Sequence, residues 1–482
     1  MSVMHAYQPR RVWDFFEAIC AIPHGSGNTK AISDFCVNFA REHSLSYQQD
    51  ALNNVIIRKP ATPGYEAAPV LILQGHLDMV CVKEAASTHD FLTDGLDLRV
   101  QDDFLYATGT TLGADNGIAV AMALAVLEDD SLPHPALEVL LTVDEETGMF
   151  GAEAVDFADL QGRRLINLDS EREGVITAGC AGGIHADCLL PVARCVQKGR
   201  SCTVTVEGLL GGHSGEEINK ERASANVLLG RLLYGLQQNM PFGILNLAGG
   251  TVENAIAAKA VVRLVVDDTY LPILTEQVEH FNTVFRREYA ASDPDVTLSL
   301  AVGDELTTLT TDANDTDRVI FALFNLPYGV QAVSMDIPGL PQTSLNMGVL
   351  RMAENEVKMS FSVRSSVASQ KEWLCQRLVS LMKRVGGRVA LSSAYPAWEF
   401  RRHSAFREQI VDCFTRFYGQ PPQISATHGG LECGLFCGKA PDLDCISIGP
   451  EMHDIHSPAE HLSISSTERT YRLLCNILAA CR

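Results

Sequence analysis

Short apolar runs alternate with segments of helical spacing along the first third of the chain. Apolar residues at helical spacing predict helices over Arg11–Ile22 and Thr29–Glu42. Apolar runs bounded by polar residues predict strands over Asn53–Arg58 and Pro69–Gln74. Strands that alternate with helices are typical of an α/β sheet covered on both faces. We therefore expect this architecture for the N-terminal part of the chain.

The same pattern returns further along the chain. Apolar runs predict strands over Leu137–Val143 and Leu165–Leu168, and one near the C-terminus over Cys445–Ile448. A glycine-rich loop, Thr108–Gly117, leads into a helix of small apolar residues over Ile118–Glu128, which we expect to be buried. The loop lacks the Gly-Lys-Ser/Thr ending of a phosphate-binding loop, so it is not assigned to phosphate.

The stretch between about Pro191 and Ser393 has a different pattern. Ser201–Val206 alternates apolar and polar residues, as in a sheet with one solvated face. A strand over Val296–Leu300 and a helix over Lys371–Val385 follow. We predict an α+β insert at residues 191–393, which interrupts a domain formed by residues 1–190 and 394–482.

Composition narrows the classes of function. A chain of 482 residues exceeds what one core usually holds, which favours two domains. A net charge of −21 argues against nucleic acid or an anionic membrane as a partner. No signal peptide or membrane-spanning run is recognisable, and the 14 scattered cysteines are typical of free thiols in a reducing cytoplasm. Cys433 and Cys437 have a metal-binding spacing, but no second cysteine pair lies nearby in the sequence, so no metal is assigned to them.

Polar residues follow the predicted strands at the point where each strand ends. In open α/β sheets, ligands bind at the carboxyl ends of the strands. Asp115 lies at the mouth of the buried helix and is expected to be held rigidly there. The residues that share the strand-end position are His76, Asp78, Glu145, Glu146 and Asp169.

Histidines and carboxylates without a cysteine ligand suit zinc, with manganese or cobalt as substitutes. Carboxylates can bridge two cations, and paired metals activate a water between them. That water needs a carboxylate nearby as general base. Of the adjacent residues Glu145 and Glu146, one could bind metal while the other acts as the general base.

Several longer motifs make a family resemblance specific. The chain resembles the co-catalytic di-zinc peptidases, a superfamily that includes peptidase T, peptidase V and the carboxypeptidase G type, and the likeness runs nearly end to end. The motifs that carry it are Gly75-His76-Leu77-Asp78, Gly109–Gly117, Glu145-Glu146-Thr147-Gly148, Asn167–Glu171, Gly208–Gly215, Gly430–Phe436 and His456-Ser457-Pro458.

The resemblance implies a catalytic domain of the zinc-peptidase type and two zinc ions per subunit. The implied ligands are His76 and Asp169 for one zinc, Glu146 and His456 for the other, and Asp115 as the bridge. It also implies that Glu145 is the general base, that Asp78 orients His76, and that the Asp115–Asn116 peptide bond is cis. His453 is a second candidate ligand in the C-terminal loop, although the His-Ser-Pro match favours His456.

The resemblance further implies substrate-binding residues in the inserted domain, which would serve as a lid and a homodimer interface. These are His213, Asn254 and Arg364, with His213 expected to enter the active site of the other subunit. Apart from the resemblance, Glu432 in the Gly-Gly-Leu-Glu run is either a candidate for meeting a free substrate amine or a surface or structural acid. The expected activity is a cytoplasmic metallodipeptidase that hydrolyses Xaa-His and other unblocked dipeptides. The alternatives are an N-acyl amino acid deacylase or carboxypeptidase, and a catalytically silent binding protein. Retention of every ligand type together with Glu145 argues against the silent protein.

Overall fold

The computed structural model describes residues 3–482, and the chain forms two compact units. Among the described residues, the first unit comprises residues 3–179, 400–426 and 431–482, and the second comprises residues 180–399 and 427–430. Each unit is a set of residues that mostly contact one another in the folded chain. The predicted domain boundaries, with an insert at residues 191–393, stay a prediction.

The helices and strands are numbered in chain order. The helices are α1 Arg10–Cys20, α2 Lys30–Glu42, α3 Ala114–Glu128, α4 Phe150–Ala154, α5 Ala225–Gln237, α6 Leu271–Glu288, α7 Ala313–Asn325, α8 Ala368–Arg384, α9 Ala405–Tyr418, α10 Glu432–Lys439 and α11 Ile464–Ala480. The strands are β1 Ser46–Gln49, β2 Val55–Lys59, β3 Leu71–His76, β4 Leu98–Gln101, β5 Phe104–Ala107, β6 Leu137–Thr142, β7 Arg164–Asn167, β8 Val175–Cys180, β9 Gly182–Pro191, β10 Arg194–Glu207, β11 Gly243–Gly249, β12 Ala260–Val266, β13 Thr297–Thr311, β14 Gly329–Val333, β15 Pro341–Met352, β16 Glu356–Ser365, β17 Arg388–Tyr395, β18 Gln423–Thr427, β19 Asp444–Ser447, β20 Met452–His453 and β21 His461–Ser463.

The first unit is built on an eight-stranded mixed sheet with the order β1-β2-β6-β3-β7-β19-β8-β18. Its centre is parallel, because β3 pairs parallel with both β6 and β7, and β7 pairs parallel with β19. Every residue of β3 and β6 is buried. Successive side chains of a strand point to opposite faces, so both faces of the sheet are covered here. The predicted α/β fold class is confirmed.

Helix α3 is the most buried helix of this unit. Its residues from Asn116 to Leu127 are buried, as the run of small apolar side chains predicts. It lies against β3, and α1 packs against it with Trp13 and Phe16 in the same core. A rigid helix therefore begins beside the end of the central strand.

The second unit contains a nine-stranded antiparallel sheet with the path β13-β10-β12-β11-β15-β16-β9-β17, and β14 pairs with β15. In β10, Cys202, Val204 and Val206 are buried while Thr203 and Thr205 are partly exposed, which confirms the predicted alternation. Helices α5, α6, α7 and α8 contribute the remaining apolar residues of its core. Strand β13 is much longer than the predicted Val296–Leu300.

A small third sheet, β20-β21-β5-β4, belongs to the first unit and was absent from the sequence prediction. Its short strands carry mixed polar and apolar residues, which give little periodicity. Among the described residues 3–482, no helix has both the length and the apolar character needed to cross a membrane.

Candidate metal centre and active site

The parallel strands bring the predicted polar residues to one edge of the sheet. His76 is the last residue of β3 and lies opposite Thr142, the last residue of β6. Gln74 lies opposite Asn167, the last residue of β7. The acids that follow Thr142 and Asn167 along the chain therefore emerge beside His76.

A tight contact between α3 and β3 places Asp115 at this edge. The side-chain oxygen of Asn116 accepts the backbone N–H of His76 at 3.2 Å, and its amide nitrogen donates to the carbonyl of Leu168 at 3.0 Å. A Cβ at Gly75 would lie 2.5 Å from the Asn116 Oδ1 atom, so only glycine permits this approach. The Asp115–Asn116 peptide bond is cis, as expected.

Five predicted ligands form a continuous set of close contacts with Asp115 in the middle. The two carboxylate oxygens of Asp115 lie 3.1 Å and 3.3 Å from the Nε2 atoms of His76 and His456, respectively. Asp169 lies 3.5 Å from His76 Nε2, and Glu146 lies 3.0 Å from His456 Nε2. The candidate ligand atoms of His76, Asp115 and Glu146 all lie within 4.8 Å of one another. Asp115 thus faces both histidines, which is the geometry of a bridging ligand.

The two histidines of the C-terminal loop have different surroundings. His456 faces Asp115 and Glu146, as given above. His453 instead lies on β20, with its ring 5.0 Å from that of His461 and its Nε2 atom 3.6 Å from Glu451. The geometry therefore favours His456 as the ligand.

The charges of this cluster strongly perturb one another. Burial alone would lower the pKa of His76, but Asp169, Asp115 and Asp78 outweigh it and raise that pKa well above its usual value. Hydrogen bonds to Asp115 and Glu146 raise the pKa of His456 to about 11. Burial, followed by the charges of neighbouring carboxylates, raises the pKa of Asp169 to about 7 despite His76. Carboxylates this close together repel one another, and bound protons or cations can relieve that repulsion.

Glu145 lies beside the cluster as a candidate base. Burial raises the pKa of its carboxyl well above the usual value, and the charges of Asp169, Glu432 and Glu146 add to this while His76 opposes it. A carboxylate with a raised pKa is suited to accept a proton near neutral pH.

Asp78 does more than the sequence suggests. It is 1% exposed, its carboxylate lies 3.5 Å from His76 Nδ1, and its backbone carbonyl lies 3.0 Å from the same nitrogen. The same carboxylate accepts the backbone N–H groups of Glu145 at 3.1 Å and Glu146 at 3.3 Å, and the hydroxyl of Ser26 at 2.8 Å. Asp78 therefore fixes both the histidine ring and the loop that carries the two glutamates.

Glu460 is a residue of the site that sequence reasoning missed. Its side chain is 2% exposed, and it accepts backbone N–H groups from four consecutive residues, Leu112 to Asp115, at 2.7, 3.1, 2.9 and 3.4 Å. The available signal was an acid four residues after His456, but nothing in the sequence shows which backbone it meets. Glu460 holds the loop that presents Asp115.

Three predicted substrate-binding residues gather within the second unit. The backbone N–H of Ser214, next to His213, donates to the carbonyl of Asn254 at 2.8 Å. Burial and then the nearby charge of Arg364 lower the pKa of His213. The Arg364 guanidinium donates to the hydroxyl of Tyr395 at 3.0 Å. The backbone next to His213 is therefore bonded to that of Asn254, and Arg364 lies close enough to His213 to lower its pKa. We refer to these three residues as the polar cluster of the second unit.

Glu432, the candidate contact for a substrate amine, has no exposed surface. Its carboxylate accepts hydrogen bonds from Gln74 Nε2 at 2.5 Å and Thr142 Oγ1 at 2.7 Å. Burial raises its pKa to about 7. The Gln74 side chain in turn accepts from the Asn167 amide at 2.6 Å. This geometry favours a role in positioning the strand ends rather than direct contact with a substrate.

Comparison with known proteins gives a consistent result. The profile of Peptidase family M20/M25/M40 matches residues 72–480. The cytosol non-specific dipeptidase of Escherichia coli (strain K12) is 37% identical over 481 residues, which cover 99% of each chain. These matches confirm the resemblance that the motifs predict.

Solved structures show the same relationship. The crystal structure of aminoacylhistidine dipeptidase from Vibrio alginolyticus matches with a TM-score of 0.91 and 35% identity, covering 99% of this chain and 98% of that one. The aminopeptidase PepT from Bacillus cereus ATCC 10987 matches with a TM-score of 0.57 and 15% identity, covering 98% and 99%. The second similarity is one of fold alone.

Proposed function

We propose that this chain, which belongs to peptidase family M20/M25/M40, is a metallodipeptidase that hydrolyses Xaa-His and other unblocked dipeptides. The observation that carries the proposal is the cluster in which Asp115 faces both His76 and His456. The names of two relatives that match nearly the full chain, a cytosol non-specific dipeptidase and an aminoacylhistidine dipeptidase, support the substrate class. The first of these names also supports a cytoplasmic location.

The donor set of the cluster fits a pair of zinc ions. It comprises two imidazoles and three carboxylates, with no cysteine, and its charges are not balanced by a lysine or arginine in the contacts described above. His76 and Asp169 would hold one ion, Glu146 and His456 the other, and Asp115 both. Such ions, when bound, lower the pKa of water and polarise a peptide carbonyl. Manganese or cobalt could replace zinc in this donor set.

Glu145 would take the proton from the attacking water and deliver it to the leaving amine. Asp78 fixes its backbone, and its carboxyl group lies near enough to His76 and Asp169 for their charges to shift its pKa. General base catalysis of this kind typically contributes about a hundredfold to ten-thousandfold in rate.

The polar cluster of the second unit would recognise the substrate. Arg364 is suited to a carboxylate, because its guanidinium presents a fixed fork of donors. His213 could donate to the oxyanion that forms when the carbonyl is attacked, and Asn254 adds a polar contact. We further propose that the protein is a homodimer through the inserted domain, in which His213 serves the active site of the partner subunit.

A substrate panel tests this function. Purified protein is treated with a chelator, reconstituted with zinc, manganese or cobalt, and assayed on dipeptides, tripeptides and acetyl amino acids. We expect cleavage of unblocked dipeptides, including Xaa-His, only after metal is restored. Preferred cleavage of acetyl amino acids would replace the proposal with a deacylase, and inactivity of the metal-loaded protein on the whole panel would contradict both.

A further inference from the structure

We infer that Cys437 and Cys445 form a peroxide-reactive thiol pair, at which an intrachain disulfide closes within the first unit. Their sulfur atoms lie 3.6 Å apart, one on α10 and the other on β19. A disulfide bond is about 2.05 Å long, so the two sulfurs need to approach by only about 1.5 Å. This inference does not depend on the proposed peptidase activity.

The two thiols differ in a way that suits stepwise oxidation. Cys437 is partly exposed, whereas Cys445 is 5% exposed. The thiol of Cys445 and then the guanidinium of Arg401 lower the pKa of Cys437, although burial opposes them. Burial raises the pKa of Cys445 well above its usual value. Because the thiolate is the nucleophile, Cys437 is the thiol that reacts first and Cys445 is the one that resolves.

The chemistry requires a two-electron oxidant, for which hydrogen peroxide is the simplest. The Cys437 thiolate attacks one peroxide oxygen, the O–O bond breaks, and the leaving hydroxide takes a proton to become water, which leaves a sulfenic acid on Cys437. The Cys445 sulfur then attacks the sulfenic sulfur and gives up its proton, and the second water leaves as the disulfide forms. Both sulfurs are oxidised by one electron each, and the peroxide is reduced to two waters.

Cys433 is the alternative partner of Cys445. It lies one turn before Cys437 on the same face of α10, and it exchanges a side-chain hydrogen bond with Cys445. However, Cys433 has no exposed surface, and burial raises its pKa. Of these two cysteines only Cys437 has exposed surface, so we expect a reagent in solution to react with Cys437 rather than Cys433. The spacing of Cys433 and Cys437 in the sequence does not reveal the pairing of Cys437 with Cys445, because Cys445 lies on a different element, β19.

The pair lies next to the polar network under the proposed metal centre. Helix α10 begins with Glu432, which accepts from Gln74 as described above. Strand β19 ends with Ser447, whose hydroxyl donates to the side chain of Asn167 at 2.5 Å. Asn167 also bonds the Gln74 side chain and accepts the backbone N–H of Asp169 at 3.3 Å. A bond between α10 and β19 would pull on both ends of this network, so we expect it to lower turnover.

Peptide mapping tests the thiol pair. The metal-loaded full chain is exposed to hydrogen peroxide, remaining thiols are alkylated, and tryptic peptides are analysed by mass spectrometry without reduction. We expect a Cys437–Cys445 cross-link, assigned by fragmentation, that dithiothreitol reverses. In Cys437→Ser, Cys445 should stay reduced and be recovered as its alkylated thiol, because the thiol that reacts first is absent. Cys433→Ser should retain the Cys437–Cys445 cross-link. A Cys433–Cys445 bond in the unsubstituted protein, or no cross-link at all, would overturn the inference.

A matched control separates the pair from general thiol oxidation. Cys195 is exposed, and its sulfur lies 3.9 Å from the carbonyl oxygen of Thr311. Cys195→Ser should leave the cross-link unchanged. For turnover, peroxide should lower the rate of the unsubstituted protein reversibly and leave Cys437→Ser unaffected. A cross-linked protein with unchanged turnover would overturn the coupling to the metal centre, while the mapped bond would still establish the thiol pair.

Discussion

Replacing Glu460 by alanine removes the buried carboxylate that holds the backbone from Leu112 to Asp115. Four N–H groups of that loop point at its two oxygens, and one oxygen takes Leu112 and Gly113 while the other takes Ala114 and Asp115. The side chain is 2% exposed, so bulk water does not replace it freely. In the alanine variant the loop would have no side-chain acceptor for these four N–H groups.

The expected loss follows from these bonds. A buried donor left without an acceptor costs about 1–3 kcal/mol. Three of the four contacts are at 3.1 Å or shorter, so we expect the free energy of unfolding to fall by about 3–9 kcal/mol. In Glu460→Gln, one oxygen remains as an acceptor and the amide nitrogen faces the other pair of donors. That variant should lose roughly half as much.

The assay is urea denaturation of chelated protein at pH 8, together with zinc titration of the folded protein. At this pH Glu460 is ionised, because burial and the charge of Asp115 raise its pKa only to about 7. We expect both variants to bind zinc more weakly, with the alanine variant the weaker. Glu468→Ala on α11 serves as the control, since its contact with Arg472 is 3.7 Å long and 42% of the Glu468 side chain is exposed. Such a surface pair contributes about 1 kcal/mol at most.

Two results would refute this reasoning. If Glu460→Ala were as stable as Glu468→Ala and bound zinc normally, the loop would hold its own conformation. If the glutamine variant matched the unsubstituted protein, the second oxygen of the carboxylate would be unnecessary.

The remaining predictions concern metal, base, partner and pH. A chelator should abolish activity and lower the melting temperature, because the clustered carboxylates then repel one another; full activity in a verified metal-free sample would contradict this. Glu145→Gln should retain both ions and lose about a hundredfold to ten-thousandfold in turnover, whereas Glu146→Gln should lose metal, and the opposite pattern in metal analysis would exchange their roles. Homodimers of Glu145→Gln or His213→Ala should be nearly inactive, but a differently tagged hybrid of the two should regain one working site; an inactive, folded and metal-loaded hybrid would exclude action of His213 in the partner subunit. Burial and then Arg364 lower the pKa of His428 to about 4. The imidazole of His428 therefore binds a proton more readily in the unfolded chain than in the folded one. As the pH drops from about 6.5 to 4, we expect this residue to lower the free energy of unfolding by about 2–3 kcal/mol. His428→Gln should reduce that slope, and an unchanged slope would show that His428 is not its source.

The positions of the strand ends were predictable because a run of apolar residues gives way to polar residues there. The apolar run before Gln74 predicts β3, and the polar residues after it mark the edge of the sheet. The structure extends the strand by two residues to His76, because a buried glycine and histidine can continue the ladder although they interrupt the apolar pattern. Neighbouring parallel strands then bring Glu145, Glu146 and Asp169 together without further information from the sequence.

Other features depend on contacts that leave no local pattern. Strand β13 runs from Thr297 to Thr311, but only its first few residues alternate clearly, because most of its later side chains are exposed. Its length is set by pairing with β10 from Arg194 to Glu207. The proximity of Cys445 to Cys437 likewise comes from the packing of α10 on β19, which the spacing of cysteines alone does not reveal.

The loops of the proposed metal centre are held by acids that are not proposed as ligands. Asp78 accepts two consecutive backbone N–H groups at Glu145 and Glu146, and Glu460 accepts four ending at Asp115. Each carboxylate is buried and accepts several N–H donors, which favour its charged form; at Glu460 they oppose the burial and the charge of Asp115 that raise its pKa. Hydrogen bonds within the chain therefore order the backbone that carries the proposed ligands, without the need for a bound cation. A site that is already ordered loses less entropy when it binds its ion, so we expect these two acids to raise metal affinity through the backbone that they hold.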